Sequence, residues 1–267
     1  MKKLSETFIY PVKSLGGISV KEAEVTDRGL KYDRRWMLID SSGKFLTQRI
    51  HPQMALLKVD LSKDELFFRN IKNTEQFSVA INETTGKKIN SSVVWSDKVE
   101  LLHVNSIADE WFSQALNIKC KLVYMPEETK REVDKTYAVD NEITSLSDGY
   151  PFLIIGQASL DDLNNRLMNK VPVNRFRPNI VFSGGDPFEE DKMKEFTIGG
   201  ISFFGVKPCS RCVITTINQN TAEKSDEPLR TLSGYRSFGN KVNFGMNLLH
   251  KGRGTIKLDD EIIITFN

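Results

Sequence analysis

Two cysteines, Cys209 and Cys212, sit three residues apart in the run Lys207-Pro208-Cys209-Ser210-Arg211-Cys212. A thiolate, not a thiol, is the nucleophile or metal ligand, and Lys207 and Arg211 bring positive charge that favours it. A soft thiolate suits a soft or high-valent metal better than magnesium or calcium. Strand-like residues flank the run at 201–206 and 213–217, so it reads as a turn or loop. A cysteine is also often no more than a small buried hydrophobe. A zinc site needs about four ligands, and beyond the pair only Cys120, His51, His103 and His250 are available, none at ligand spacing. An iron–sulfur cluster usually needs four cysteines, and a thioredoxin-like dithiol expects a βαβ setting. Those three readings are weak. A single thiolate ligand or an inert thiol remains.

Three further groups carry cations or amides. Tyr10-Pro11-Val12-Lys13-Ser14 precedes Gly16-Gly17, a turn whose backbone N–H groups can approach an anion closely. The Gly-x-x-x-x-Gly-Lys spacing of a P-loop is absent, and a Lys-Ser pair before a turn is commonplace. In Asp33-Arg34-Arg35-Trp36, strand alternation puts Arg34 on the face of Trp36 and Arg35 on the other. A half-buried arginine needs an anion, either Asp33 or a ligand phosphate. Asn174-Arg175-Phe176-Arg177-Pro178-Asn179 leads into the apolar run 180–182. There Arg175, Arg177 and Asn179 share one face, which fits a solvated strand start or a cradle for a charged heterocycle.

The elements that must hold these groups are mostly strands. Segments 6–12, 18–25, 35–39 and 55–61 are rich in β-branched and aromatic residues, with glycine-containing breaks between them. Weaker strand patterns follow at 66–68, 76–81, 93–95 and 119–125, then at 179–182, 201–206, 213–217 and 261–266. Asn105 is placed to cap a helix in which Ile107, Trp111, Phe112 and Leu116 recur at helical spacing. A second helix fits 159–167, capped by Ser159, and Pro228 can begin a short third. Residues 126–149 are charged, long and weakly periodic, which marks a surface loop or, less readily, a lid. The expected fold is therefore mainly β, barrel-like, with a few helices.

Composition narrows the partners. A formal net charge of +2 over 267 residues gives no field that favours nucleic acid or an acidic membrane surface. No run of about 18 apolar residues is present, and no targeting pattern follows Met1. An odd, low cysteine count points to a reducing compartment, so a cytoplasmic location is expected. Dinucleotide, metalloprotease and nucleophile-elbow motifs are absent.

Taken in order, Tyr-Pro-Val-Lys-Ser, Asp-Arg-Arg-Trp, Phe-Arg-Pro-Asn and Pro-Cys-Ser-Arg-Cys with a following Thr-Thr resemble the MOSC-domain proteins that carry an N-terminal MOSC β-barrel region. The likeness is to mitochondrial amidoxime-reducing components and bacterial counterparts, and it runs over about residues 4–264. It implies an N-terminal region at 1–125 and a MOSC domain at 126–267, with the first strands free to pack on the second part. It implies a molybdenum–molybdopterin cofactor at their junction, with Cys212 as metal ligand and catalytic residue. Ser210 and Arg211 would contact the cofactor, Lys13, Ser14 and Arg34 would hold its phosphate or pterin end, and Arg177 with Asn179 would complete the pocket. Asn247 aligns with a further contact position. The implied activity is reduction of small N-hydroxylated compounds to amines. Electrons would come from a separate ferredoxin, flavoprotein or cytochrome, because this chain has too few cysteines for its own cluster. The same family includes fusions to pyridoxal-phosphate-dependent sulfurases, which leaves a sulfur-carrier or cofactor-handling role as an alternative. A non-enzymatic barrel with inert cysteines is a third.

Overall fold

The computed structural model describes residues 1–95, 97–138 and 140–266. Most elements are strands, and three α-helices occur among the described residues. Seven strands close on themselves in the order Phe152–Gly156, Ile180–Ser183, Lys2–Ile9, Glu261–Phe266, Glu195–Ile198, Ile201–Ser210 and Lys241–Lys251. Closure comes from the antiparallel pairing of Lys241–Lys251 back onto Phe152–Gly156. Closure leaves no open edge. Inward residues such as Leu4, Phe152, Phe182, Phe196, Phe203 and Leu248 fill the interior and are almost fully buried.

The first strand of the chain thus belongs to a barrel otherwise built from residues beyond 150. It pairs with Ile180–Ser183 on one side and with Glu261–Phe266 on the other. The strand Glu22–Thr26 likewise pairs with Gly254–Lys257. Beside the barrel, Trp36–Asp40, Cys120–Tyr124, Asp97–His103 and Lys88–Val94 form an antiparallel sheet. A three-stranded meander of Leu57–Leu61, Glu65–Asn70 and Gln76–Ala80 completes this part. Helix Ser106–Leu116 packs into its core, where Trp36, Phe68 and Phe112 meet.

That helix starts where the sequence indicates. The Asn105 side chain accepts from the Ala108 N–H at 2.6 Å, and Asn117 ends the helix in the left-handed region. Its buried face is Ala108, Phe112 and Leu116, whereas Ile107 is exposed. The second helix spans Gln157–Arg166 and its cap is Gly156, not Ser159. The Ser159 hydroxyl is already committed inside the helix, donating to the Glu190 carboxyl at 2.7 Å and accepting from the Phe188 N–H. Residues 213–217 do not form a strand. They make a 3-10 turn, Val213–Thr216. Among the described residues no helix is long and apolar enough to cross a membrane.

Candidate functional site at the junction of barrel and sheet

The strand Ile201–Ser210 delivers the cysteine pair to the barrel mouth. Its pairing with Lys241–Lys251 slips between Gly205 and Lys207 and again between Pro208 and Ser210. Such bulges accommodate a proline that cannot donate to the ladder, and they re-aim the side chains that follow. At Gly205 the Met193 carbonyl approaches so closely that an added Cβ would lie 2.1 Å from its oxygen, so only glycine fits there. Beyond Ser210 the chain stays extended through Cys212 and then turns. Thr215 fixes that turn, since both its N–H and its hydroxyl donate to the Cys212 carbonyl, at 3.1 and 3.0 Å. Arg175, from the 3-10 turn Val173–Arg175, donates to the Thr215 carbonyl from behind. It does not share a face with Arg177.

The N-terminal motifs arrive by a second route. Residues 10–13 run beside 34–36, with Arg34 N–H on the Tyr10 carbonyl, Trp36 N–H on Pro11 and Lys13 N–H on Trp36. This sets Lys13, Ser14 and Arg34 side by side. Arg34 does not follow strand alternation, because its backbone is left-handed (φ 49) and the strand begins only at Trp36. Arg177 is left-handed too (φ 56). The guanidinium carbons of both arginines lie 4.3 Å from the centroid of the buried Tyr10 ring. Tyr10 is held in turn by its hydroxyl on the Pro178 carbonyl and its N–H on Asp33. Burial pushes its phenol well above the usual range, so it stays neutral.

The nine residues that the resemblance assigns to the site line one crevice. Lys13, Ser14, Arg34, Arg177, Asn179, Ser210, Arg211, Cys212 and Asn247 come together there, joined by Arg49 and by residues 147–150. Its walls carry five basic side chains, Lys13, Arg34, Arg49, Arg177 and Arg211, against one acidic side chain, Asp148. Asp33 offsets Arg34 from behind at 2.5 Å. Burial pushes Arg177 down to about 10, with Arg34 adding repulsion, so it remains a cation at neutral pH. It donates to the Leu15 carbonyl at 2.6 Å.

The members differ in how much bonding capacity they keep. Asn179 is held by three hydrogen bonds: its side-chain carbonyl accepts from Arg34 and from Leu153 N–H, and its amide donates to the Phe8 carbonyl. It therefore positions Arg34. Asn247 donates to the Lys207 carbonyl. Arg211 donates to the Phe176 carbonyl at 2.6 Å and to the Cys209 sulfur at 2.9 Å, while its buried Nε has no partner among the described residues. Lys207 turns away, with its ammonium 4.5 Å from the Tyr137 ring centroid. The Cys212 thiol makes no hydrogen bond among the described residues and is half-buried. Lys13 is almost fully buried and donates to the Leu146 carbonyl and to Asp148. Burial lowers its affinity for a proton, opposed by Asp148. Desolvation opposes the charge of Asp148, whose side chain still reaches solvent, but its ion pair and hydrogen bond with Lys13 hold that carboxyl well below the usual range.

The loop that delivers Asp148 is tied down. Arg131 pairs with Asp97 at 2.7 Å and donates to the carbonyls of Ser145, Ser147 and Asp148. A short pairing of Arg131–Glu132 with Ile143–Thr144 closes its middle. The end that meets the crevice is a wall secured by a buried guanidinium. Arg49, Asp148 and the Tyr10 platform were not singled out from the sequence. Arg49 lies in a turn and has no motif to mark it, and its guanidinium is placed by the ring of Trp95, distant in sequence.

The crevice suits an anionic ligand with a polar body and a thiolate-seeking end. Its cations exceed its carboxylates, an arginine N–H is unspent, and a thiol stands open beside them. Among the described residues no three His, Cys, Asp or Glu side chains cluster as a cage. A metal at Cys212 must therefore bring most of its own ligands, as a dithiolene-bearing cofactor does. The class is a closed β-barrel protein with a basic, thiol-bearing crevice at the junction with an N-terminal sheet.

The comparisons name the family. Residues 1–119 match the MOSC N-terminal beta barrel domain, and residues 141–263 match the MOSC domain. Mitochondrial amidoxime-reducing component 1 of Mus musculus is 31% identical over 98% of this chain and 82% of its own length. The Homo sapiens protein of the same name is 32% identical over the same shares. Molybdenum cofactor sulfurase of Oryza sativa subsp. japonica is 32% identical over 92% of this chain, which spans 32% of that protein. The chain belongs to the MOSC-domain family with an N-terminal MOSC β-barrel region.

Proposed function

We propose that the crevice binds a molybdenum–molybdopterin cofactor, with Cys212 as the protein ligand to the metal, and that the holoprotein reduces N-hydroxylated compounds. One observation carries this reading: eight residues from four distant motifs, the open Cys212 thiol among them, converge with Asn247 on one basic crevice. Lys13, Ser14, Arg34 and Arg177 would take the phosphate and pterin end, each offering donors to an anion. Arg211 and Ser210 would hold the part nearest Cys212, and Asn247 would fill the opposite wall. Asn179 and Tyr10 would keep Arg34 and Arg177 aimed.

When bound, the cofactor supplies a two-electron centre for removing oxygen from nitrogen. The balance is R–NHOH plus two electrons and two protons giving R–NH₂ and water. The N–O bond breaks and an N–H bond forms. Electrons would come from a separate ferredoxin, flavoprotein or cytochrome. The chain's part is to bind, to orient and to surround the reacting end with fixed donors, which act without reorganising.

Molybdenum content and amine formation from hydroxylamine, with a reduced viologen dye as donor, test the reading. Cys212→Ala is expected to lose both metal and activity, and Cys209→Ala to keep the metal. Metal retained by Cys212→Ala sinks the assignment. A second reading, a sulfur carrier, is favoured by the likeness to a molybdenum cofactor sulfurase. It predicts an added sulfur on Cys209 or Cys212 by mass spectrometry after incubation with a cysteine desulfurase, without metal.

A further inference from the structure

A second hollow adjoins the crevice and is not needed to hold a cofactor. Phe45, Arg49, Ile50 and Trp95 line it, and Arg49 lines the crevice as well, so the hollow borders the crevice across that side chain. Its character is the reverse of its neighbour's. Trp95 is 48% exposed and Ile50 60%. Large apolar side chains grouped at the rim of a polar site mark a place where something apolar docks.

Trp95 is exposed but not loose. Its indole N–H donates to Asp148 at 3.2 Å, the carboxylate that also accepts from Lys13. Its ring meets Phe45 edge-on at 5.9 Å, and the Arg49 guanidinium lies 4.4 Å from its centroid. Its backbone is left-handed (φ 60), which a bulky residue adopts only where its surroundings impose it. The Arg49 guanidinium makes no hydrogen bond among the described residues. The Lys13 ammonium lies 5.3 Å from the Phe45 centroid, so the same side chains that face the crevice also back the apolar hollow. An aromatic wall beside an unspent guanidinium recognises a flat, π-rich ring, by edge or face contact with the rings and by cation–π contact with Arg49.

We infer that Trp95, Phe45 and Arg49 form a specificity subsite that takes the aromatic ring of an N-hydroxylated substrate, leaving its N–OH end in the crevice near Cys212. This rests on the function proposed above. It makes the protein selective for aryl over small aliphatic members of the same functional class, with the selectivity carried by Trp95.

Two measurements test it. The first compares kcat/KM for benzamidoxime and acetamidoxime, which differ only in ring against methyl. Trp95→Ala is expected to lower the aryl-to-methyl ratio about tenfold, and Trp95→Phe, which keeps a ring but loses the bond to Asp148, about twofold. A ratio unchanged in Trp95→Ala, or one that Trp95→Phe lowers as far as alanine does, overturns the proposal. The second follows tryptophan fluorescence of the holoprotein during benzamidoxime titration. Saturable quenching is expected in the wild type and should vanish in Trp95→Phe, where the buried Trp36 and the partly buried Trp111 remain. No quenching in the wild type overturns the subsite. Quenching without reduction of either amidoxime keeps the subsite and overturns the proposed reaction instead.

Discussion

Arg34 and Arg35 are neighbours in sequence and belong to opposite kinds of environment. Arg35 joins Arg28 in a cluster answered by the Glu127 carboxylate and by backbone carbonyls. Arg35 donates to the Met125 carbonyl, to the Tyr124 hydroxyl and to Glu127, and Arg28 donates to the carbonyls of Glu127 and Thr129. One residue along, Arg34 faces a crevice in which five cations meet one carboxylate on the walls. Burial of a charge costs several kcal/mol unless partners compensate. The first cluster is compensated from within the chain and fastens strand to loop. The second is under-compensated, and a chain that keeps uncancelled positive charge in one place is set to receive an anion. Charge balance, more than burial, separates the arginine that builds from the arginine that binds.

Replacing one arginine from each side sharpens this comparison. Arg211→Met should weaken cofactor retention about a hundredfold, since a charge-assisted hydrogen bond is worth roughly 1.5–3 kcal/mol. Molybdenum per chain after extensive dialysis reads it. Arg35→Met should do the reverse. It strands the buried Met125 carbonyl, which costs about 1–3 kcal/mol of stability, while molybdenum per folded chain stays constant. Urea unfolding reads the first quantity and metal analysis the second. If Arg35→Met empties the crevice as thoroughly as Arg211→Met does, the division between the two clusters breaks down.

Much of the crevice was legible before the fold, because its cations, amides and thiol sit in compact motifs. The strands were legible as elements but not in their outcome. Residues 213–217 are β-branched and read as a strand, yet Thr215 captures the Cys212 carbonyl and makes a turn, a case of local side-chain bonding overriding propensity. Alternation misplaced Arg34 and Arg177 for a related reason: both sit in left-handed backbone, where strand periodicity does not apply. The entry of the first strand into a barrel built mainly from residues beyond 150 leaves no mark in a local pattern, since pairing between Lys3 and Ser183 depends on the whole fold. Arg49 and Asp148 went unnoticed because they are held by residues distant in sequence, Arg49 by Trp95 and Asp148 by Lys13 and Arg131.

The barrel gives the comparison its smallest and most continuous test. His250 lies inside the wall among Phe152 and Phe203, donates through Nε2 to the Thr26 carbonyl, and has a buried Nδ1 with no partner among the described residues. Burial lowers its pKa from the usual 6.5, and the hydrogen bond to Thr26 and the charges of Asp27 and Glu142 do not restore it. A proton on Nδ1 would be a cation with nothing to receive it, the condition that the crevice tolerates because a ligand can supply the anion. Because the folded-state pKa is the lower one, the unfolded chain binds the proton first. Stability is then complete above about pH 6.5 and declines as pH falls below it, by at most about 1.4 kcal/mol per pH unit. His250→Gln, which keeps a donor for Thr26 and cannot ionise, should remove that slope between pH 6.5 and 5. An unchanged slope would mean that the barrel interior accommodates an uncancelled cation, and charge balance would no longer distinguish the crevice from its surroundings.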